Sequence, residues 1–459
     1  MIKAAVGLCI DHDLVQATTI ALEQAEADLK VKPDLILYFT GSHLGGAKTY
    51  NKALAILKEA YSDVPMAGCS GLGIGNRQDY GLKGVGLMMF TGLTAKSYLL
   101  KRFRIGTKKK TKKIVKNCIR EKKIAQDNNA NSTFLFFPPG VGFPKFIADM
   151  LNHRIEGINP FFMLNLPIWR RFPILSRIIG KPVEFLLDIA GIGISYSSTW
   201  SLFTQLYRNG IHYTGTFGAD PLNLYKAFQF YNYRAYKDSL TYISIRSSEL
   251  VFESRSDTGA EILPDKGFNI DSFIKGGFIP RIQGKWGAHA LLDLFGMTDT
   301  PDILERCTQS AFYYHPYRPV CVIDSQQKQN LYALAVNPNL KHALITAPNQ
   351  VVEKLRADDP DHFQAFIADQ SRNTIENLLE NALEELVTPN SAFGLFFDCG
   401  NRAMVIGDRF DKYMKKYADS LGEIPYLVVI SGGEVNSQDF PIVNFTTVSN
   451  IGKRLNSAF

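Results

Sequence analysis

Lys3-Ala4-Ala5-Val6-Gly7-Leu8-Cys9-Ile10 and Asp34-Leu35-Ile36-Leu37-Tyr38-Phe39-Thr40 decide the fold. Both are short, mainly apolar runs, the pattern of strands covered on both faces. Between them, residues 13–29 carry Leu14, Ala17, Ala21 and Ala25 at helical spacing, and residues 47–61 form a second amphipathic helix. This strand–helix–strand–helix order predicts parallel neighbours at the start of a sheet. Residues 66–70, 71–75, 84–90 and 94–103 then read as short strands separated by glycine. Strands that follow one another without helices predict an antiparallel section, so the sheet is mixed.

Further along, the spacing predicts strands over 132–138, 212–218 and 227–245, the last with a hairpin turn at Tyr236-Lys237-Asp238-Ser239. Residues 249–275 are polar and contain glycine, which reads as a boundary. Beyond it, strands are predicted near 277–283, 320–324, 332–336, 392–398, 403–407 and 426–431, with helices over 362–387 and 408–417. The expected class is α/β with α+β character: two lobes, 1–248 and 249–459, of mixed sheets flanked by helices. Residues 144–208 form a Pro-rich insertion in the first lobe, broken by Pro160, Pro167, Pro173 and Pro182 and expected to hold short helices.

The bulk numbers fit that picture. The chain has 459 residues, enough for two or three cores. It is 46% hydrophobic and 21% charged, which excludes a disordered chain. The cysteines are Cys9, Cys69, Cys118, Cys307, Cys321 and Cys399, scattered and without a C-x-x-C pair. A disulfide framework or structural zinc is not expected, and a reducing, cytoplasmic setting is. The first ten residues lack the pattern of a signal peptide. No run reaches the roughly 18 uncharged apolar residues of a spanning helix.

The net charge of +7 is concentrated between Lys101 and Lys123, which include Arg102, Arg104, Lys108, Lys109, Lys110, Lys112, Lys113, Lys116, Arg120 and Lys122. Such a run is either a phosphate or membrane-surface patch or a solvated helix face, and the solvated face is the favoured reading. Aromatic residues are sparse in it, so nucleic acid is not an expected partner. In 144–208, Arg170, Arg171, Arg177 and Lys181 alternate with Phe161, Phe162, Trp169 and Phe172, a pattern open to peripheral membrane contact. Glu184 and Asp188 fit a lipid-facing stripe poorly, which favours packing on the domain.

Motifs for familiar chemistry are missing: no Walker loop, no G-x-S-x-G elbow, no H-E-x-x-H pair. Gly71-Leu72-Gly73-Ile74-Gly75 leads into a strand rather than a helix, which rejects a dinucleotide site. No two histidines have metal-ligand spacing, so no metal is expected. Cys69 and Cys399 end apolar strands, where a nucleophile would face a cleft, yet no neighbouring base accompanies them, and buried small hydrophobes are the plainer reading. No catalytic residue is assigned. The C-terminal region carries more. Phe397-Asp398-Cys399-Gly400-Asn401-Arg402 and Ile430-Ser431-Gly432-Gly433-Glu434 both leave a hydrophobic strand into polar residues. If those strands are neighbours, Arg402 and Glu434 could face one cleft and pair with a zwitterion such as an amino acid. The alternative is an arginine–carboxylate pair that closes the fold.

These residues resemble the FIST family of small-ligand sensory proteins. Val64-Pro65-Met66-Ala67-Gly68-Cys69-Ser70 with Gly84-Val85-Gly86-Leu87 is similar to the N-terminal signature. Gly215-Thr216-Phe217-Gly218-Ala219-Asp220 with Gln229-Phe230, then Cys399-Gly400-Asn401-Arg402, then Gly433-Glu434 with Pro441 and Asn444-Phe445-Thr446, resemble later passages in order. Val435 and Val443 depart from the family's Ile and His. The resemblance implies paired N- and C-terminal FIST lobes that bind a small ligand, with amino acids proposed. It implies a site drawn from Arg402, Glu434, Cys399, Ser70, Cys69, Asp220 and Asn444. It implies a separate signalling partner such as a histidine kinase or chemoreceptor. No cofactor is expected; haem, in a nitric-oxide sensor, is the alternative. A peripheral membrane or scaffold protein acting through 101–208 and a cysteine-dependent enzyme are the other readings.

Overall fold

A computed structural model describes residues 2–41, 46–103, 107–125, 130–138, 141–142, 193–194, 196–219, 227–237, 239–257, 260–274, 278–295, 313–314, 319–323, 329–332, 334–336, 343–345, 363–437 and 447–455. The chain begins β1 (Lys3–Cys9), α1 (Leu14–Leu29), β2 (Leu35–Thr40), α2 (Ala47–Tyr61), β3 (Met66–Ser70), β4 (Gly73–Gly75), β5 (Tyr80–Gly81), β6 (Val85–Thr91) and β7 (Thr94–Leu100). There follow α3 (Thr107–Ala125), β8 (Ala130–Phe137), β9 (Val141–Gly142), β10 (Gly193–Ile194), α4 (Tyr196–Arg208), β11 (Tyr213–Phe217), β12 (Phe228–Tyr231), β13 (Arg234–Lys237), β14 (Leu240–Ser247) and β15 (Leu250–Asp257). Next come β16 (Glu261–Ile274), β17 (Phe278–Ile282), β18 (Lys285–Trp286), α5 (Gly287–Leu294), β19 (Tyr313–Tyr314), β20 (Val320–Ile323), β21 (Gln329–Tyr332), β22 (Leu334–Val336), β23 (Ala343–Ile345) and β24 (Phe363–Asp369). The chain closes with α6 (Arg372–Leu386), β25 (Ser391–Cys399), α7 (Gly400–Ile406), α8 (Phe410–Leu421), β26 (Tyr426–Ser431), β27 (Glu434–Asn436) and β28 (Thr447–Arg454).

Helices and mixed sheets together make this an α/β protein. Two compact units emerge. One comprises residues 1–140, 198–259 and 375–459; the other comprises 141–197 and 260–374. The first unit therefore draws on both sides of residue 248. The second is organised around one antiparallel sheet in the order β19-β22-β23-β17-β16-β24-β20-β21, with β18 on β17.

Among the described residues, the first unit holds three sheets. One runs β1-β6-β2-β3-β12-β13, another β27-β11-β8-β14-β7, and the third β15-β28-β25-β26-β4-β5. Their inner faces share a core in which Phe39 of β2, Phe136 of β8 and Phe397 of β25 meet edge to face, with ring centroids 5.5, 6.1 and 6.3 Å apart. Each sheet thus contributes one ring, and such aromatic pairs add to the free energy of burial. Helices cover the outer faces: α1 and α2 pack on Ile36, Tyr38 and Met66, while α6, α7 and α8 pack on Phe396, Tyr426 and Val428. On the middle sheet, Phe203 of α4 packs on Phe137 and Tyr213, and Asn117 of α3 donates to the Tyr242 hydroxyl at 2.8 Å.

Two short strands are exchanged. β4, from the first half, pairs with β26 in the third sheet, and β27, from the end of the chain, pairs with β11 in the middle sheet.

Several sequence expectations need correction. β1 and β2 are not neighbours, because β6 lies between them, antiparallel to both; the parallel pair is β2 with β3. The hairpin turn is Asn232-Tyr233, both at positive φ, rather than residues 236–239. Two left-handed residues match the twist of a tight hairpin, and the chain after β13 crosses to another sheet. Residues 249–275, read as a boundary, hold β15 and β16, and the change from the first unit to the second after residue 259 falls between these two strands. Residues 363–369 form β24 between β16 and β20, not the start of a long helix. Residues 403–407 lie in α7 and the single turn after it rather than in a strand. A short apolar run cannot by itself separate the two conformations. Most of the Pro-rich insertion lies outside the described residues. Among those described, no helix is long and apolar enough to cross a membrane.

Candidate functional site

The C-terminal ends of strands from all three sheets converge in the first unit. β3 ends at Ser70, β11 at Phe217, β26 at Ser431 and β25 at Cys399. Backbone hydrogen bonds knit these ends directly. Ala219 N–H donates to the Ser70 carbonyl at 3.1 Å, Gly432 N–H to the Phe217 carbonyl at 3.0 Å, and Leu72 N–H to the Ile430 carbonyl at 2.7 Å. Strand ends deliver side chains where α/β proteins commonly bind ligands.

Glycine makes the approach possible. A Cβ on Gly432 would lie 3.0 Å from the Ala219 methyl and 3.3 Å from the Gly218 carbonyl oxygen. Gly433 has φ of 146°, a conformation that side chains disfavour.

Glu434 opens β27 opposite Thr216 and is fully buried. The Ser431 hydroxyl donates to its carboxylate at 2.6 Å. The short span from β26 to β27 sets this pair, and the Thr216 hydroxyl fixes the same turn by donating to the Gly433 carbonyl at 3.1 Å. Ser70, 3% exposed, accepts from Phe228 N–H at 2.9 Å. Gln229 stitches the rim: its amide donates to the Phe137 carbonyl at 3.1 Å, and its carbonyl accepts from Ser239 N–H at 3.2 Å. Cys399 pairs with Ser431 across β25 and β26. The strand ends therefore gather Ser70, Cys399, Ser431 and Glu434. Sequence reasoning missed Ser431, Thr216 and Gln229 as site residues. A hydroxyl three residues before a carboxylate was the visible signal for Ser431; Gln229 offered only a polar residue among aromatics.

Arg402 goes elsewhere. Its guanidinium is fully buried beside α7. Nη1 donates to the Asp257 carbonyl at 2.9 Å and lies 3.4 Å from the Asp257 carboxylate; Nε lies 3.4 Å from Asp398. Nη2 reaches the Tyr413 hydroxyl at 3.3 Å and the Ile375 carbonyl at 3.5 Å. Asp398 also accepts from Tyr413 at 2.6 Å and Thr447 at 2.8 Å. Asp257, Thr447 and Asp398 stand abreast across β15, β28 and β25. Burial opposes the arginine charge, but Tyr413, Asp398 and Asp257 together hold its pKa well above the ordinary value. Burial pushes the Asp398 carboxyl up, against the lowering pull of Arg402, Tyr413 and Thr447. This is the fold-closing arrangement, with Asp398 and Asp257 as the acids instead of Glu434.

The Cys69 side chain points into the shared core, and burial pushes its thiol pKa up, which opposes nucleophile chemistry. His212 has both ring nitrogens engaged, Nδ1 with Ser132 at 2.9 Å and Nε2 with Ser254 at 3.1 Å. No group of three or more His, Cys, Asp or Glu among the described residues is arranged to hold a metal ion. Asp220 and Asn444 lie outside the described residues. What the strand ends offer chemically is recognition: a buried carboxylate, hydroxyls and backbone groups.

The family model for the FIST N domain matches residues 34–267, from β2 through the first part of β16. The chain belongs to the FIST family. That match covers the strand ends of β3 and β11 and the rim residue Gln229. The FIST family is associated with sensory signal transduction. No curated protein matches this FIST chain.

Proposed function

We propose that this protein is a sensory module that binds a small polar ligand where β3, β11, β25 and β26 end. The observation that carries the reading is Glu434, a buried carboxylate held by Ser431 at a junction knitted from three sheets. A buried carboxylate suits a ligand bearing an amine or other cationic group, because a charge-assisted hydrogen bond offsets its desolvation. An amino acid has such a group and remains the preferred ligand class. Arg402 supports the site at a distance, since it lies in the first turn of α7, whose first residue, Gly400, sits beside Ser431. Binding at the junction would pass a signal to a separate protein, such as a histidine kinase or chemoreceptor, in the cytoplasm.

Calorimetry of the full chain against an amino-acid panel tests this. The expected outcome is one or more binders whose affinity falls about tenfold to a hundredfold in Glu434→Gln, the range for a hydrogen bond to a charged group. A panel without a binder, or unchanged affinity in a folded Glu434→Gln protein, would overturn the reading.

A further inference from the structure

The cationic face of α3 has no part in the ligand site. One side of this helix is fixed to the middle sheet: Thr111, Ile114, Cys118 and Ala125 are buried. Glu121 is also buried, and accepts from the Tyr98 hydroxyl at 2.5 Å. The other side exposes Lys109, Lys112, Lys113, Lys116, Arg120 and Lys123. Their spacings of three and four residues place like charges side by side along one stripe. The helix has no acid in its first turn. Lys109 and Lys110 instead stand in the first turn, where the helix dipole disfavours cations. Lys109, Lys112, Lys113, Lys116 and Lys123 form no ion pair among the described residues. Neither the helix nor the fold gains stability from this arrangement.

The stripe ends in exposed apolar surface. Ile124 is 51% exposed and Tyr207, near the end of α4, is 53% exposed. The two helix ends are tied together by Lys122, whose ammonium donates to the Asn209 carbonyl at 3.1 Å and the Gly210 carbonyl at 2.8 Å. Arg208, also exposed, adds a further cation there. A row of lysines with an aliphatic and a tyrosine side chain at one end matches a lipid interface. The cations meet anionic headgroups, while Ile124 and the amphipathic Tyr207 ring enter the boundary layer.

We propose that α3, with the end of α4, docks this protein on an anionic membrane surface, independently of the ligand site. The single-signed stripe supplies the charge complementarity, and the apolar end favours a bilayer over a purely polyanionic partner.

Flotation of the full chain with phosphatidylcholine vesicles, with and without phosphatidylglycerol, tests the proposal. Binding is expected only to the phosphatidylglycerol vesicles. Raising salt from about 0.1 to about 0.5 M should weaken it, because screening shortens the reach of exposed charges. The triple variant Lys112→Glu/Lys116→Glu/Lys123→Glu should bind at least about tenfold more weakly, given what each cation contributes at a charged surface. Ile124→Ser should also weaken binding, and Lys52→Glu on α2 should not. Circular dichroism checks that each variant folds, and the salt series on the unaltered protein stands apart from any variant. Absent binding, equal binding to neutral vesicles, or an unaffected folded triple variant would overturn the proposal. So would displacement of the vesicles by an equal charge of oligonucleotide.

Discussion

The segment β2–α2–β3 and the segment β25–α7–α8–β26 are built alike. In each, parallel strands flank helical structure, and the return turn is the same. Val64 N–H donates to the Tyr61 carbonyl and Ile424 N–H to the Leu421 carbonyl, both at 3.0 Å. The following prolines accept equivalently: Ile36 N–H donates to Pro65 and Gly394 N–H to Pro425, again at 3.0 Å. Both return strands end in Ser-Gly, at Ser70-Gly71 and Ser431-Gly432, and both then send a short strand to another sheet. The difference lies in the polar groups under the helices. The first segment uses neutral hydroxyls, with Tyr38 bonded to Thr18 at 2.9 Å and Thr40 near Tyr50 at 3.5 Å. The second uses the buried ion network of Arg402, Asp398 and Asp257. One backbone plan therefore tolerates either chemistry, and the charged version ties in distant chain. Arg402 holds Asp257 and Ile375, at the two places where the chain leaves and re-enters the first unit.

Substitutions can break or sharpen this contrast. Arg402→Ala should have the largest effect, a loss of about 3–5 kcal/mol, because two carboxylates are left buried without their partner. Urea unfolding measures it, and a loss under about 1 kcal/mol would show that the network is not what closes the second segment. Tyr50→Phe, in the neutral segment, should cost no more than about 1 kcal/mol by the same measurement. A cost matching that of Arg402→Ala would erase the distinction. The smallest effect should come from His212, which bridges β8 and β15. Burial lowers its pKa below the ordinary 6.5. The unfolded chain then binds more protons than the folded one, so stability is present above pH 6.5 and is lost as pH falls through the folded value. The melting temperature should drop on acidification across that window, and His212→Gln should flatten this part of the curve.

Much of the first segment was legible because its strands and helices are long, regular apolar patterns: α2 spans the residues its spacing predicts. β24 and α7 were misread because residues 363–369 and 403–407 are short, mainly apolar stretches whose conformation depends on their neighbours. At the site, the Ser431–Glu434 pair is local and so within reach of sequence. Arg402's partnership with Asp257 spans 145 positions and leaves no local trace. A strand-end arginine looks the same in sequence whether it faces a ligand or a buried aspartate.

The exchange of β4 and β27 has a consequence for synthesis. Ile74 pairs with Val429, so β4 waits for a partner strand that is made far later in the chain. Until then the growing chain carries β4 without its partner, and β11 keeps an edge open where β27 will pair. Such distant pairing slows folding and leaves unpaired strand edges exposed. Strands β4 and β11 are finished by strands made much later, and a nascent chain stopped anywhere before residue 426 is an incomplete fold, not a smaller one.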